Sequence, residues 1–214
     1  MKILILGAAG RISRMLTDEL LNKTDHFIVL YARNGHKRLN LIDKNREVIV
    51  EGDFEDKGKL LVAMQGVDLV YINNMDDEKS TQTIIEAMQE VGVKRVIAVS
   101  SLGIYDEVAD ALGVWNKLMM GRSSRVHPQI KSPWLLENSA LEYTLLRLTW
   151  LYNQPGNRNY AISQQGEPLI SARVTRQAVT QLVLDIINEK SGKFLWTSLG
   201  VSEPPTDWTK VSFD

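Results

Sequence analysis

The chain has no cysteine. That excludes disulfide staples, thiolate metal sites and a cysteine nucleophile, and it fits a reducing compartment, so the expected location is the cytoplasm. Histidine is scarce, at three residues; His26 and His36 have no second ligand at metal-binding spacing and read as solvated surface residues. Neither sign of charge is in excess, since 25 Lys and Arg face 26 Asp and Glu for a formal net charge of −1. With no long basic block, nucleic acid is not indicated as a partner. No apolar run approaches the ~20 residues that a membrane span needs. The opening MKILILGAAG lacks a signal-peptide core. Nothing reads as a repeat, a low-complexity tract or a linker, and one domain over 1–214 is expected.

What the chain does contain is an ordinary supply of core, 44% hydrophobic residues, arranged in short apolar runs. These are Lys2 to Leu6, Phe27 to Tyr31, Val48 to Val50, Leu69 to Ile72 and Val96 to Val99. Each is rich in Ile, Val and Leu, as strands buried on both faces require. Helix-period segments lie between them: Ile12 to Leu21, Lys37 to Asp43, Lys57 to Met64 and Ser80 to Val91. In the last, Ile84, Ile85, Met88 and Val91 share one face. Such alternation predicts an α/β fold, a Rossmann-type doubly wound parallel sheet with helices on both faces. Further on, Tyr143 to Leu148 and Phe194 to Thr197 read as strands and Arg176 to Glu189 as a helix. Residues 102–135 and 151–175 read as excursions that form a small cap on the substrate side. Pro128 and Pro133 argue against a regular helix within the first. The tail from Glu203 is expected to be irregular.

Gly7 and Gly10 stand between the first strand and the first helix, in I3-L-I-L-G-A-A-G-R-I-S13. A glycine at the first position permits a tight turn, and one at the second lets backbone approach a pyrophosphate. Helix-start amides at Ala9, Gly10, Arg11 and Ile12 then face the anion, aided by the helix dipole. A plain tight turn without a ligand is the competing reading. The usual third glycine is Ser13, which is expected to widen the helix–strand packing slightly while retaining binding.

Here the chain resembles the atypical short-chain dehydrogenase/reductases, and among them the NAD(P)H-binding group that includes NmrA-like proteins and flavin/biliverdin reductases. The marks are GAAGRI at Gly7 to Ile12, YARN at Tyr31 to Asn34, EGDFED at Glu51 to Asp56, VIAVSSLGIY at Val96 to Tyr105, and SALEYTLLRLTWLYN at Ser139 to Asn153. They cover nearly the whole chain. They speak to fold and cofactor more than to substrate, because one scaffold serves many ends.

The end of the second strand separates the two dinucleotides: an acid there binds the ribose hydroxyls of NAD, and an arginine accommodates the phosphate of NADP. The chain has Arg33 and no acid, with Lys37 and Arg38 one turn later. Arg33 can meet a phosphate through a forked pair of hydrogen bonds, and Arg11 could assist. A solvated basic helix end is the alternative. NADP(H) is therefore the expected cofactor, ahead of NAD(H). The resemblance puts Asp53 and Phe54 beside adenine, although Asp53 could instead cap the next helix. It puts Asn73 and Asn74 along the ribose and nicotinamide side. Asp76, Asp77 and Glu78 resemble a metal cluster, but helix capping explains them better.

For hydride chemistry, the resemblance places Ser100 and Ser101 beside the nicotinamide. Ordinary members add a Tyr-x-x-x-Lys pair, which puts a proton donor and its lysine on one helix face. His127-Pro-Gln-Ile-Lys131 lies in about that region. His127 could stand for the tyrosine, and Tyr105 is the other candidate acid. The standard trio is thus altered. Trp115, Trp134, Trp150 and Tyr152 lie where a planar acceptor would bind, but equally suit a core, which is preferred for Trp134. Two functions follow: an NADP(H)-dependent oxidoreductase passing hydride to a small or planar acceptor such as a flavin, quinone or carbonyl, or a non-catalytic NADP(H)-binding redox sensor. A structural α/β protein that has lost its ligand is a third. A monomer or homodimer is expected.

Overall fold

Four of the five apolar runs become strands with both faces covered; the run Val48 to Val50 forms an edge strand in which Val48 is exposed, against expectation. Ile3, Leu4, Ile5 and Leu6 are all fully buried, and burying each such side chain stabilises the fold by about 1.5–3 kcal/mol. The computed structural model describes residues 1–75, 77–105 and 126–205, without the side chains of 126–130. In chain order its elements are β1 (Lys2–Leu6), α1 (Arg11–Lys23), β2 (Phe27–Ala32), α2 (Gly35–Arg38), β3 (Glu47–Glu51), α3 (Lys57–Ala63), β4 (Leu69–Ile72), α4 (Glu78–Val91) and β5 (Arg95–Ser101). Then come α5 (Val126–Glu137), β6 (Glu142–Leu148), β7 (Trp150–Tyr152), β8 (Ala161–Ser163), β9 (Arg173–Thr175), α6 (Arg176–Asn188) and β10 (Thr197–Ser202).

Eight strands form one sheet in the order β3-β2-β1-β4-β5-β6-β10-β8. All pairs are parallel except β10 with β8. The α/β doubly wound reading therefore holds. The chain winds outward in both directions from β1, so a crevice opens where β1 and β4 part at their carboxyl ends. One face of the sheet packs on α1 and α6, through Ile12, Leu16, Leu20, Val179, Leu182 and Val183. The other packs on α3, α4 and α5, through Leu60, Ala63, Ile84, Met88 and Leu136. The helices start where side chains satisfy their first amides. Asp56 accepts from Lys59 N, Asp77 from Ser80 N, and Thr175 from Ala178 N. The N-cap residues of α1 and α2 give no side-chain cap; in α2 Glu51 takes His36 N, whereas no side chain caps α1.

Several expectations are corrected. The second helix is Gly35–Arg38 rather than Lys37 to Asp43. Leu39 is already extended, and the Glu47 carboxylate holds Ile42 N and Asp43 N in a turn. The last strand is Thr197–Ser202, later than Phe194 to Thr197. Segment 151–175 contributes three short strands that were not foreseen, with β7 and β9 forming a separate parallel pair. Both prolines lie inside the α5 helix. Pro133 forfeits one bond to the carbonyl four residues earlier, and the helix continues through it. Trp134 is 61% exposed and is no core residue. His26 is half-buried, and its burial holds the imidazole below its usual pKa. Trp115 lies outside the described residues.

Ser13 is fully buried between α1 and the sheet, and its Oγ has no hydrogen-bond partner. A buried, unsatisfied hydroxyl costs ~1–3 kcal/mol. Alanine keeps the Cβ, removes the hydroxyl and favours helix. Ser13→Ala is therefore expected to raise stability by about 1 kcal/mol in denaturant titration; a lower midpoint would show that the hydroxyl is satisfied in solution.

Candidate functional site

The turn after β1 is built by backbone. Gly7 adopts φ +79, a conformation that L side chains rarely take. It allows Gly7 N and Ala8 N both to donate to Tyr31 O, at 3.0 and 3.1 Å. Gly10 N then donates back to Gly7 O at 2.9 Å. Below the turn lies Asn73. Its Nδ2 is 2.5 Å from where a Gly10 Cβ would sit, so the turn fits closely over the start of the β4–α4 connection. Asn73 N is fixed by Leu6 O, and Tyr71 OH reaches Asn73 Oδ1 at 3.4 Å. The uncapped amides of α1 thus emerge into the crevice with a glycine floor. This arrangement matches what a pyrophosphate requires. Ile12 is a core side chain, so it can serve an anion only through its N–H. Ala9 is half-buried, and its carbonyl holds Arg14 Nε at 3.2 Å.

Beyond β2 the chain places cations. The Arg33 side chain is 76% exposed and touches Asp53 Oδ2 at 3.7 Å, a contact worth little in solvent. Asn34 turns in the left-handed region, at φ +51, to begin α2. Arg38 Nη1 donates to Arg33 O at 3.3 Å, and Arg38 O accepts from Arg14 Nη2 at 2.5 Å. Arg14, not foreseen from the sequence, therefore ties α1 to this basic corner. Asp53 does not cap α3; Asp56 does. Asp53 Oδ1 instead accepts from Glu55 N at 3.1 Å, and Asp53 O accepts from Tyr31 OH at 2.7 Å. Phe54 stacks near Tyr31 with ring centres 6.2 Å apart. Arg33, Asp53, Phe54, Asn74, Met75 and Ile84 line a cleft of about 350 Å³, one wall apolar and the other charged. Asp77 is confirmed as a helix cap, and its bond from Ser80 holds the carboxyl below its usual pKa. Asp76 lies outside the described residues. Among the described residues no His, Asp and Glu cluster is placed to hold a metal.

The residues expected to do chemistry are not gathered in one place. Side-chain alternation along β5 puts Ser100 on the α5 face, with Val96 and Ala98, and Ser101 on the opposite face, with Ile97 and Val99. The Tyr105 hydroxyl donates to Glu137 of α5 and accepts from Ser198 Oγ at 3.3 Å. Arg147, fully buried, lies 5.2 Å over the Tyr105 ring. Burial lifts the Glu137 carboxyl pKa, and Arg147 opposes the rise. Lys131 instead reaches α4 and pairs with Glu78 at 2.9 Å. His127 is a residue of α5 whose side chain lies outside the described part. Tyr152, expected on the substrate side, gives its hydroxyl to Glu203 Oε2 at 2.6 Å, and Arg173 Nε donates to Glu203 Oε1 at 2.9 Å. These contacts fasten the β7–β9 pair to the end of β10. Trp150, on the same pair, is 36% exposed.

Like Arg14, Arg176 escaped sequence reasoning although its signal was present. Arg176 is the first residue of α6, as Arg11 is of α1. A basic residue in the first turn runs against the helix dipole, and that mismatch could have marked it.

Since Asn73 occupies the space that a Gly10 side chain would need, Gly10→Ala is expected to distort the turn and abolish anion binding there. Asn73→Ala in the same chain should restore part of it. Calorimetric titration of the single and double variants with a nicotinamide dinucleotide checks this, and an unaffected Gly10→Ala protein would refute the close fit.

The comparisons with known proteins agree with this geometry. A family model for NAD(P)H-binding proteins matches residues 7–190. A short-chain dehydrogenase/reductase from Veillonella parvula, solved in complex with NADP, is 36% identical, covers 99% of each chain and superposes with a TM-score of 0.93. A Rossmann-fold NAD(P)-binding family protein from Shigella flexneri is 31% identical over 100% of this chain and 98% of its own, with a TM-score of 0.80. An uncharacterized sugar epimerase of Bacillus subtilis, YhfK, is 24% identical over 203 residues, 89% of this chain and 90% of its own. From the glycine turn through α6, the chain belongs to the NAD(P)H-binding family of Rossmann proteins.

Proposed function

We propose that the chain is an NADPH-dependent reductase of the atypical short-chain class, acting on a small or planar acceptor without a Tyr-x-x-x-Lys proton donor. The observation that carries the cofactor preference is the cationic end of β2, where Arg33 stands in place of an acid and is held only by a long, exposed contact to Asp53. Exchanging that contact for a phosphate gives up little, and a guanidinium offers a phosphate two parallel donors. The NADP complex of the Veillonella parvula relative supports the same preference. Gly7, Ala9, Gly10, Arg11 and Ile12 would receive the pyrophosphate. Arg33, with Arg38 beside it, would receive the 2′-phosphate, and Asp53 and Phe54 the adenine. Asn73, Asn74 and Ser100 would line the nicotinamide half.

When bound, the cofactor supplies a hydride. The chain's own part is then to hold and position the cofactor and the acceptor. Tyr105 and Lys131 hold separate carboxylates, Glu137 and Glu78, so neither is poised to give a proton to a common acceptor atom. Acceptors that take their proton from solvent, such as flavins and quinones, suit this arrangement better than carbonyls. We place their entry at the carboxyl ends of β5 and β6, beside the β7–β9 pair. The same separation of Tyr105 from Lys131 favours a second reading, a redox sensor that binds the cofactor without turnover.

Fluorescence titration should show NADPH binding at least about tenfold tighter than NADH, and Arg33→Gln should erase the difference. Equal affinities in the unaltered chain would refute the preference. With NADPH present, loss of the nicotinamide absorbance band on adding flavins or quinones identifies the reductase, and Tyr105→Phe should leave that rate unchanged. Tight binding with no turnover across flavins, quinones and aldehydes identifies the sensor.

A further inference from the structure

Helices α1 and α6 lie side by side on one face of the sheet. Each follows a segment arriving at the carboxyl edge, so both direct their positive ends toward that edge. At the first position of each helix stands an arginine, Arg11 and Arg176. This is an unfavourable placement twice over. Each cation opposes its own helix dipole, and each opposes the other. Burial, and then the charge of Arg11, push the Arg176 guanidinium below its usual pKa.

Some arginines of the chain are paired with acids. Arg158 pairs with Glu19, and Arg173 with Glu203. Among the described residues neither Arg11 nor Arg176 meets a carboxylate. Arg176 is half-buried and donates Nη1 to the neutral Asn153 Oδ1 at 3.1 Å. Asn153 fixes the guanidinium without cancelling its charge. An exposed Arg11 and a half-buried Arg176, neither neutralised by a carboxylate among the described residues, thus stand at the starts of neighbouring helices beside the glycine floor, an arrangement that an anion would relieve.

We propose that Arg176 is a cofactor-binding residue, closing with Arg11 a two-arginine clasp on the dinucleotide pyrophosphate. The inference rests on the dinucleotide reading of the glycine turn and adds α6 to that site. Arg14 of α1 and Arg38 of α2 tie the adenosine end through main-chain carbonyls. Arg11 and Arg176 serve the end toward the nicotinamide. The pyrophosphate then receives charge-assisted donors from two helices instead of dipolar amides from one.

The test compares NADPH with adenosine 2′-monophosphate, which carries the 2′-phosphate but no pyrophosphate. Arg176→Gln is expected to weaken NADPH binding by about tenfold or more and to leave binding of the monophosphate unchanged. Arg176→Lys should fall between. Because the substitution relieves repulsion, the ligand-free Arg176→Gln protein should melt no lower than the unaltered chain, while its stabilisation by NADPH shrinks. Arg11→Gln combined with Arg176→Gln should cost less than the two separate losses multiplied, as expected of groups that share one ligand. Unchanged NADPH affinity in Arg176→Gln overturns the clasp. Equal weakening of both ligands, or a lower melting point without ligand, assigns Arg176 a structural role and also overturns it. An unaltered chain that binds neither ligand removes the dinucleotide reading itself, and the clasp with it.

Discussion

The rest of the molecule depends on β1 being buried on both faces at the centre of a parallel sheet. That burial fixes where the strand ends, and so where Gly7 must turn. It also leaves the helix that follows no room for a side-chain cap, since the turn lies directly on Asn73. An uncapped helix start in a crevice is unfavourable unless something anionic completes it. The main-chain bonds from Gly7 and Ala8 to Tyr31 couple this start to β2, and the hydroxyl of Tyr31 couples β2 to Asp53. Glycine floor, basic corner and apolar cleft are therefore positioned by one short chain of contacts.

Much of this was legible in the sequence. The central strands β1, β2, β4 and β5 are written as apolar runs, because a strand covered on both sides has no polar face to show, whereas β3 at the sheet edge carries the same signal with Val48 exposed. The glycine turn was legible from its position between such a run and an amphipathic helix. The chain was less legible where structure rests on distant partners. Glu47 shortens α2 by taking amides from Ile42 and Asp43, and no local pattern announces that. The strands β7 and β9 exist because they pair with each other across a long loop and are held by the buried Glu203. Prolines misled because their cost depends on where in a helix they fall.

At the candidate site the same division applies. Positions that act through backbone, such as Gly7 and Gly10, follow from residue type and spacing. Positions that act through long side chains do not. Tyr105 and Lys131 stand near the places that the family resemblance implies, yet each is committed to a carboxylate on another helix. Glu137 and Glu78 carried no signal of that commitment, since an acid on a helix is ordinarily a solvated residue. Arg14 and Arg176 gave a weak signal, as cations near helix starts, and their neighbours make it meaningful.

The place of β10 between β6 and β8 has a consequence for how the molecule is made. The chain lays down β1 to β6, leaves the sheet to form β7, β9 and α6, and returns only at Thr197 to pair with β6. Until then β6 presents an open edge, with unpaired amides beside an apolar face, the kind of surface on which strands of other chains can add. Pairing between segments so far apart in sequence is slow, because the intervening loop must close first. During synthesis the β6 edge is thus the last part to be sealed, and a chain that stops short of β10 carries a complete glycine turn on an aggregation-prone sheet.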